Sequence, residues 1–330
     1  MSKTVRFHQT GDPDVLRIED QELRAPEKGE VAIKVRAVGL NRAESMFRRG
    51  QYLEAPNLPS GLGYEASGTI ETLGPEVEGF GIGDAVSVIP SFSMNQYPVC
   101  AERAIVPARA LVEKLASLSW IESASVWMQY LTAWGALVEI AKVRSGDFVI
   151  VTAASSSVGL AAIQIVNALG ATPIAVTRKS DKRSALEKAG AKYVIASSEQ
   201  DLVAEVADIT KGHGARVAFD PVAGPGLETL AKAMRTGGII MLYGALSPEP
   251  TPYPLFVALG KRLTLRGYVL FEIFEDSHLF VEGKRYILDG LKSGRLTPII
   301  AKTFPLDEIV AAYTYLESNQ QVGKVAVTVS

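Results

Sequence analysis

The sequence predicts an α/β protein in which a doubly wound parallel sheet is combined with a smaller β-rich domain. From about residue 148 onward, short β-branched apolar runs alternate with helical patterns, as expected where helices cover both faces of a parallel sheet. The first third of the chain instead carries short strand-like runs separated by Gly and Pro, which are typical of a small barrel or sandwich. The length of 330 residues is enough for two such domains.

Composition and charge argue against several classes of function. The formal net charge of -2 provides no field that would favour nucleic acid or an anionic membrane. No apolar core of a secretory signal stands near the N-terminus, and no apolar stretch is long enough to span a bilayer. The single cysteine, Cys100, excludes an intrachain disulfide. We therefore expect a cytoplasmic protein without a nucleic-acid or membrane partner.

The few histidines and the lone cysteine also argue against a metal site. One cysteine cannot build a four-cysteine zinc site, and a catalytic zinc ion needs three protein ligands brought together. His8, His213 and His278 lie far apart in the sequence, and none belongs to a motif with ligand spacing. We predict that the chain holds no metal.

The secondary-structure pattern changes near residue 121. Before it, strands are predicted at residues 30–40, 66–74 and 83–90, and a helix is predicted over residues 121–143, closed by Gly146. Beyond it, strands and helices alternate. The predicted strands cover residues 148–153, 172–177, 193–197, 215–222, 238–245 and 263–270, and the predicted helices cover residues 158–170, 180–190, 199–212 and 226–238.

The first turn of this alternating region has the layout of a dinucleotide-binding loop but only one of its three usual glycines. Ala154, Ser156 and Gly159 stand where G-x-G-x-x-G is expected. Small residues can replace the first two glycines if the local dihedral angles are ordinary, and Gly159 keeps the position where the helix packs on the strand. The helix N-terminus still offers N–H groups to a phosphate. A serine-rich helix cap without a ligand is the alternative.

The end of the second strand favours NADPH over NADH. An NAD site places Asp or Glu there to bind the ribose hydroxyls, roughly 20 residues after the loop. Here the strand ends at Thr177 and Arg178, and Lys182 follows shortly. Arg178 is the best candidate for the 2′-phosphate because its guanidinium can bind phosphate with two hydrogen bonds. The alternative is a solvated helix start.

Two later loops belong to the same edge of the predicted sheet. Residues 219–224 and 242–246 both follow strands, and the carboxyl ends of strands line the cofactor crevice in open α/β sheets. Asp220 resembles a catalytic acid, but a role in capping the loop before Pro221 is favoured.

Taken together, these motifs resemble the zinc-free medium-chain dehydrogenases/reductases, in the quinone oxidoreductase and enoyl reductase branch. The resemblance follows the chain in order through residues 38–52, 58–74, 83–88, 128–137, 151–171, 237–246 and 323–329. It implies a Rossmann domain, residues 123–269, inserted into a GroES-like β-rich domain made of residues 1–122 and 270–330. It also implies an active site in the cleft between the domains and a homodimer.

The resemblance implies an NADPH-dependent reductase of quinones or of the activated C=C bond of α,β-unsaturated carbonyl compounds. Zinc-dependent relatives carry a ligand cysteine where this chain has Asn41 and a ligand histidine where it has Tyr64, and neither replacement suits zinc. A zinc-type alcohol dehydrogenase and a non-catalytic NADPH-binding structural or RNA-binding relative are the alternatives.

The resemblance also implies roles for particular residues. Tyr52 matches a proton donor or substrate anchor, although a packing role alone is the alternative. Asn41 and Tyr64 are the other candidate catalytic residues, Asn41 near nicotinamide and substrate. Thr132 matches a threonine near the nicotinamide amide. Met46 stands where quinone reductases often have tyrosine, which weakens a strict quinone assignment.

The predicted cofactor contacts extend over both domains. Lys182 matches a lysine used in relatives, whereas Ser197 lies near a position that often holds tyrosine. The full predicted set is Asn41, Thr132, Ala154, Ser155, Ser156, Ser157, Val158, Gly159, Thr177, Arg178, Lys182, Ser197, Val222, Tyr243, Gly244, Ala245, Leu246 and Lys324.

Overall fold

The computed structural model describes the whole chain, Met1–Ser330, and divides it into two compact units. The first unit contains residues 1–128 and 298–330, and the second contains residues 129–297. The second unit thus extends beyond residue 269, where the sequence analysis placed the end of the inserted domain. The assignment of the substrate to one domain and of the cofactor to the other stays a prediction.

Strands dominate the first unit, and both ends of the chain contribute to it. Its strands are β1 (Ser2–Phe7), β2 (Arg17–Gln21), β3 (Glu30–Gly39), β4 (Ser60–Gly61), β5 (Glu65–Leu73), β6 (Ala85–Val88), β7 (Arg103–Pro107), β8 (Leu111–Glu113), β15 (Ile300–Pro305) and β16 (Lys324–Thr328). Its helices are α1 (Arg42–Arg48), α2 (Trp120–Ser123) and α11 (Ile309–Glu317).

The second unit alternates strands with helices. Its strands are β9 (Phe148–Val151), β10 (Thr172–Thr177), β11 (Tyr193–Ala196), β12 (Ala215–Asp220), β13 (Met234–Leu242) and β14 (Thr264–Gly267). Its helices are α4 (Ser157–Ala168), α5 (Arg183–Lys188), α6 (Leu202–Ile209), α7 (Gly226–Ala233), α8 (Leu255–Lys261), α9 (Phe271–Glu275) and α10 (Ser277–Lys292). The helix α3 (Trp127–Trp134) crosses the boundary between the two units.

The first unit is organised around a seven-stranded sheet in the order β15-β16-β3-β5-β6-β8, with β7 paired to β3. Along β3, Ile33 and Val35 are buried while Lys34 and Arg36 are exposed, which is the alternation expected of a strand with one face in a core. Because β16 pairs with β3, the end of the chain lies beside the segment that leads into α1.

The second unit is a six-stranded parallel sheet in the order β11-β10-β9-β12-β13-β14. Counted from its first strand this is 3-2-1-4-5-6, the order of a doubly wound dinucleotide-binding sheet. Apolar side chains of α6 and α7, including Val206, Leu227 and Leu230, pack with Ile150 and Ile240 of the sheet. The predicted Rossmann and GroES-like architecture is confirmed.

The prediction of one continuous helix over residues 121–143 is wrong. The structure ends α2 at Ser123, begins α3 at Trp127, and continues from Gly135 to Ile140 as a π-helix. A Cβ atom on Gly135 would lie 2.2 Å from the Tyr268 hydroxyl, so this tyrosine packs directly against the start of the π-helix. Elsewhere, no helix combines the length and the apolar character that a bilayer crossing requires.

Candidate active site

The loop between β9 and α4 forms a compact cap on the helix. Ser156 is the N-cap residue, and its hydroxyl accepts a hydrogen bond from the Gly159 N–H at 3.0 Å. A Cβ atom on Gly159 would lie 2.6 Å from the Ala154 carbonyl oxygen, so the helix can pack this closely only with glycine there. Ala153 adopts a left-handed conformation with φ of 45°, a strain that the sequence analysis did not anticipate.

The end of β10 is tied to this loop through a lysine. Lys182 Nζ donates to Ser155 Oγ at 3.2 Å, and partial burial lowers the pKa of this lysine. The Thr177 carbonyl accepts from the Ser197 N–H at 2.8 Å and from its hydroxyl at 3.2 Å. Arg178 is exposed at the same strand end. The structure therefore gathers the predicted 2′-phosphate residues beside the predicted phosphate loop.

The ends of β12 and β13 complete this edge of the sheet. Asp220 accepts hydrogen bonds from the Val222 N–H at 3.2 Å and the Ala223 N–H at 2.8 Å, which confirms its predicted role in capping the loop. The Tyr243 ring stacks on Phe219 with ring centres 3.9 Å apart. Its hydroxyl is buried and makes no hydrogen bond of normal geometry. It lies close to Ser156, the N-cap residue of α4.

A cluster of charged side chains lies inside the first unit. Lys324 Nζ, on β16, forms an ion pair with Glu65 Oε1, on β5, and donates to Asn41 Oδ1 at 2.6 Å. Both charged side chains are fully buried. The second Glu65 oxygen accepts from the Met128 N–H at 2.9 Å. The strand pairing of β16 with β3 brings the lysine to this point.

A second buried carboxylate belongs to the same cluster. Glu44 accepts from the backbone N–H groups of Asn41 at 2.9 Å and Tyr64 at 3.1 Å, and from the Tyr313 hydroxyl at 2.7 Å. Burial raises the pKa of Glu44. With Asn41 it forms the capping box of α1, an N-x-x-E signal that was visible in the sequence but was not used.

The side chain of Asn41 is saturated by these neighbours. Its amide nitrogen donates to the Gly39 carbonyl at 3.0 Å and to Glu44 Oε1 at 3.2 Å, while its oxygen accepts from Lys324. The predicted roles of Asn41 and Lys324 in binding the cofactor stay predictions, although in the structure both side chains serve this internal network.

The two predicted tyrosines lie together in the first unit. The ring centres of Tyr52 and Tyr64 are 6.3 Å apart, and the Tyr64 hydroxyl donates to Glu54 Oε1 at 3.5 Å. Burial raises the pKa of both phenols, so both are protonated at neutral pH. Thr132 lies buried on α3 in the second unit. Glu44 and Glu54 were both missed by the sequence analysis.

The donor groups near these residues do not fit a zinc ion. No three His, Cys, Asp or Glu side chains lie close enough together to hold a metal. Asn41 and Tyr64, which stand at the positions of zinc ligands in zinc-dependent relatives, offer no thiolate or imidazole. The Lys324 ammonium is bound directly to Asn41, and a cation at this position opposes the binding of a second one.

Comparison with known proteins places this geometry in a family. Residues 27–153 match the family described as alcohol dehydrogenase GroES-like domain, and residues 157–282 match the family described as zinc-binding dehydrogenase. A quinone oxidoreductase-like protein 2 homolog of Nematostella vectensis is 30% identical over 90% of this chain and 81% of its own length. The chain belongs to the medium-chain dehydrogenase/reductase family, in its quinone oxidoreductase branch.

Two further relatives agree with this membership of the family. The 2-haloacrylate reductase of Burkholderia sp. is 28% identical over 97% of this chain and 96% of its own length. The crystal structure of Escherichia coli quinone oxidoreductase complexed with NADPH superposes with a TM-score of 0.92, at 26% identity over 99% of both chains. This medium-chain dehydrogenase/reductase is therefore an oxidoreductase of the quinone oxidoreductase type.

Replacing Gly159 with alanine is expected to destabilise the second unit. The added Cβ would meet backbone atoms of Ala154 at 2.6 and 2.7 Å, and relief of such overpacking costs about 1–3 kcal/mol of unfolding free energy. Gly226→Ala, on α7, is the matched control because a Cβ there meets no atom within 4 Å. Urea denaturation measures both, and equal stability of the two variants would contradict the close packing.

Replacing Lys324 with methionine is expected to lower the unfolding free energy by about 3 kcal/mol, because Glu65 would then be buried without its partner. Adding Glu65→Gln to this variant should recover part of the loss. Lys34→Met, at an exposed lysine of the same sheet, serves as the control. Urea denaturation measures the unfolding free energy of each variant. If the two substitutions lower it additively in the double variant, Lys324 and Glu65 are not energetically coupled.

Proposed function

We propose that this protein is an NADPH-dependent reductase that delivers hydride, without zinc, to the activated C=C bond of an α,β-unsaturated carbonyl compound or to a quinone. The observation that carries the proposal is the cationic end of β10, where Lys182 is bound to Ser155 of the loop that caps α4. A strand end of this kind suits a 2′-phosphate and offers no carboxylate to ribose hydroxyls.

The residues at this edge of the sheet fit a dinucleotide. The N–H groups of Ser157 and Val158, in the first turn of α4, suit a pyrophosphate because the helix dipole favours negative charge there. The buried Tyr243 hydroxyl, which has no well-formed partner, suits a hydrogen bond to the bound cofactor. Arg178 and Lys182 would hold the 2′-phosphate. The Escherichia coli relative named above was crystallised with NADPH, which supports this choice.

The reduction divides into a hydride transfer and a proton transfer. NADPH, when bound, supplies the hydride. The chain must orient the acceptor, stabilise the negative charge that develops on its carbonyl oxygen, and provide a proton. Tyr52 is proposed for the last two tasks, because burial raises the pKa of its phenol and keeps the proton in place until a strong base forms beside it.

Activated alkenes are favoured over quinones as the acceptor. Met46 stands where quinone reductases often have tyrosine, and the relative from Burkholderia sp. is named a reductase of 2-haloacrylate, an alkene conjugated to a carboxylate. Zinc-free chemistry is proposed because the donor set does not fit zinc and these acceptors delocalise the incoming charge over their own carbonyl group. The cytoplasmic location stays a prediction.

A homodimer through the edge of the second unit's sheet is part of the proposal. Strand β14 pairs only with β13, so its other edge is free for a second copy. In α8, which precedes β14 in the chain, and in the residues leading into it, the apolar side chains of Tyr253, Phe256 and Leu259 are 61%, 85% and 64% exposed. Exposed apolar side chains of this kind together with an unpaired strand edge suit a symmetric interface.

Removal of the Arg178 guanidinium tests the cofactor choice. Arg178→Ala is expected to raise the KM for NADPH about 10–100-fold, because a hydrogen bond to a charged group contributes about 1.5–3 kcal/mol, and to leave the KM for NADH unchanged. Steady-state kinetics with a 2-alkenal as acceptor measures both values. Lys188→Ala removes the same charge from the far end of α5 and is the control. Parallel changes for the two cofactors would contradict a 2′-phosphate contact.

Replacing one of these exposed apolar side chains with a charged one tests the dimer. Phe256→Asp is expected to convert the dimer to a monomer at micromolar concentration, since an aspartate buried in an apolar interface has no partner. Sedimentation velocity gives the mass directly. Ile82→Asp, at another exposed apolar residue that is 72% exposed in the first unit, should remain dimeric. A monomeric parent protein would refute the dimer.

A further inference from the structure

Glu54 connects two loops of the first unit and one buried tyrosine. Its Oε2 accepts from the Ser93 hydroxyl at 2.5 Å and from Asn95 Nδ2 at 3.3 Å. Its Oε1 accepts from the Met94 N–H at 3.3 Å and from the Tyr64 hydroxyl at 3.5 Å. Glu54 is partly exposed, so this carboxylate is bound on one side by the protein and reachable by water on the other.

Tyr64 is the buried link between this carboxylate and Tyr52. Its side chain is fully buried, with its ring 6.3 Å from that of Tyr52 and 6.2 Å from that of Phe92. The two rings meet edge to face, and each phenol affects the pKa of the other. Phenylalanine would fill the same volume without the cost of desolvating a hydroxyl. The hydroxyl therefore calls for an explanation other than packing.

A donor such as Tyr52 must recover its proton in every turnover. Tyr52 is partly exposed, and carboxylates that raise the pKa of both phenols belong to Glu54 and Glu44. These charges and burial both disfavour a phenolate, so a Tyr52 anion left by proton transfer is a strong base that must be neutralised quickly. The Tyr52 ring contacts that of Tyr64, and the Tyr64 hydroxyl donates to Glu54, so the three groups lead from the proposed donor through a fully buried phenol to a carboxylate that water can reach.

We propose that Tyr64 and Glu54 form the path by which a solvent proton restores Tyr52 after it has protonated the reduced substrate. The inference rests on the proposed function, in which Tyr52 is the proton donor. Both residues act through Tyr52 and not on the substrate directly.

The proton transfers balance without any further reactant. The Tyr52 O–H bond breaks as its proton goes to the reduced substrate. The Tyr64 hydroxyl proton then moves to the Tyr52 oxygen, and Tyr64 takes a proton from Glu54, which has received one from water. Rotation of the two hydroxyl groups resets the hydrogen bonds. One solvent proton reaches the product, and all three side chains return to their starting forms.

Two variants test the path in the intact protein with NADPH and a 2-alkenal. Tyr64→Phe leaves the contacts of Glu54 with Ser93, Met94 and Asn95 in place, so it separates the phenol from the anchoring of the loop. Glu54→Gln keeps the shape and removes the group that can carry a proton. Tyr97→Phe is the matched control, because Tyr97 packs on Phe92 but donates its hydroxyl to Glu30 at 3.0 Å.

Both variants are expected to lower kcat about 10–100-fold with an unchanged KM for NADPH, while Tyr97→Phe keeps the parent kcat. The parent enzyme should show a curved dependence of kcat on the D2O fraction, since several protons move together, and Tyr64→Phe should show a linear one. Small acidic buffers such as imidazolium should restore part of the kcat of Glu54→Gln. A purely structural role for these residues would move neither the isotope dependence nor the buffer response.

The outcomes separate this inference from the proposed function. An active parent enzyme whose kcat and isotope dependence survive both substitutions overturns the proton path alone. A parent enzyme that reduces no alkene or quinone with NADPH overturns the proposed function and the path with it. Loss of kcat in both variants together with the linear isotope dependence supports the path.

Discussion

The first unit depends on one buried ion pair, between Lys324 and Glu65. Both side chains are withdrawn from water, and a buried charge without a partner destabilises a fold by several kcal/mol. The two residues lie 259 positions apart, so the end of the chain must return to β5 for either charge to be compensated. A Cβ on Gly39 would lie 2.9 Å from both Lys324 Cε and Glu65 Oε1, which shows how little space surrounds the pair.

The same pair sets the electrostatics of the polar residues around it. Lys324 holds the Asn41 oxygen, Asn41 caps α1 with Glu44, and Glu44 receives the Tyr64 backbone N–H. Each of these groups is saturated by another member of the cluster. An ammonium therefore organises, in this chain, the positions that hold metal ligands in zinc-dependent members of the family.

In the second unit, the equivalent constraint is the close approach of α4 to β9. Gly159 permits it, and six residues earlier in the loop Ala153 is held in a left-handed conformation. A glycine at residue 153 would adopt this conformation without the strain. The segment is also held from outside, because Thr152 donates to Asp220 at the end of β12 and Lys182 donates to Ser155.

The sequence by itself determined the features that depend on local spacing. Short β-branched apolar runs predicted the strands, the single glycine at residue 159 predicted close packing, and the cationic residues after Thr177 predicted a phosphate site, because each signal lies within a few neighbouring residues. The break between α2 and α3 escaped it, since the helical pattern continues through a turn that tertiary packing stabilises. Only the tertiary structure decided which polar side chains are satisfied by internal hydrogen bonds and which can still bind a ligand. The Asn41 oxygen is satisfied by Lys324, which lies 283 positions away in the chain. The Tyr64 hydroxyl meets Glu54 because two loops pack together. The periodicity of a sequence does not record contacts of either kind.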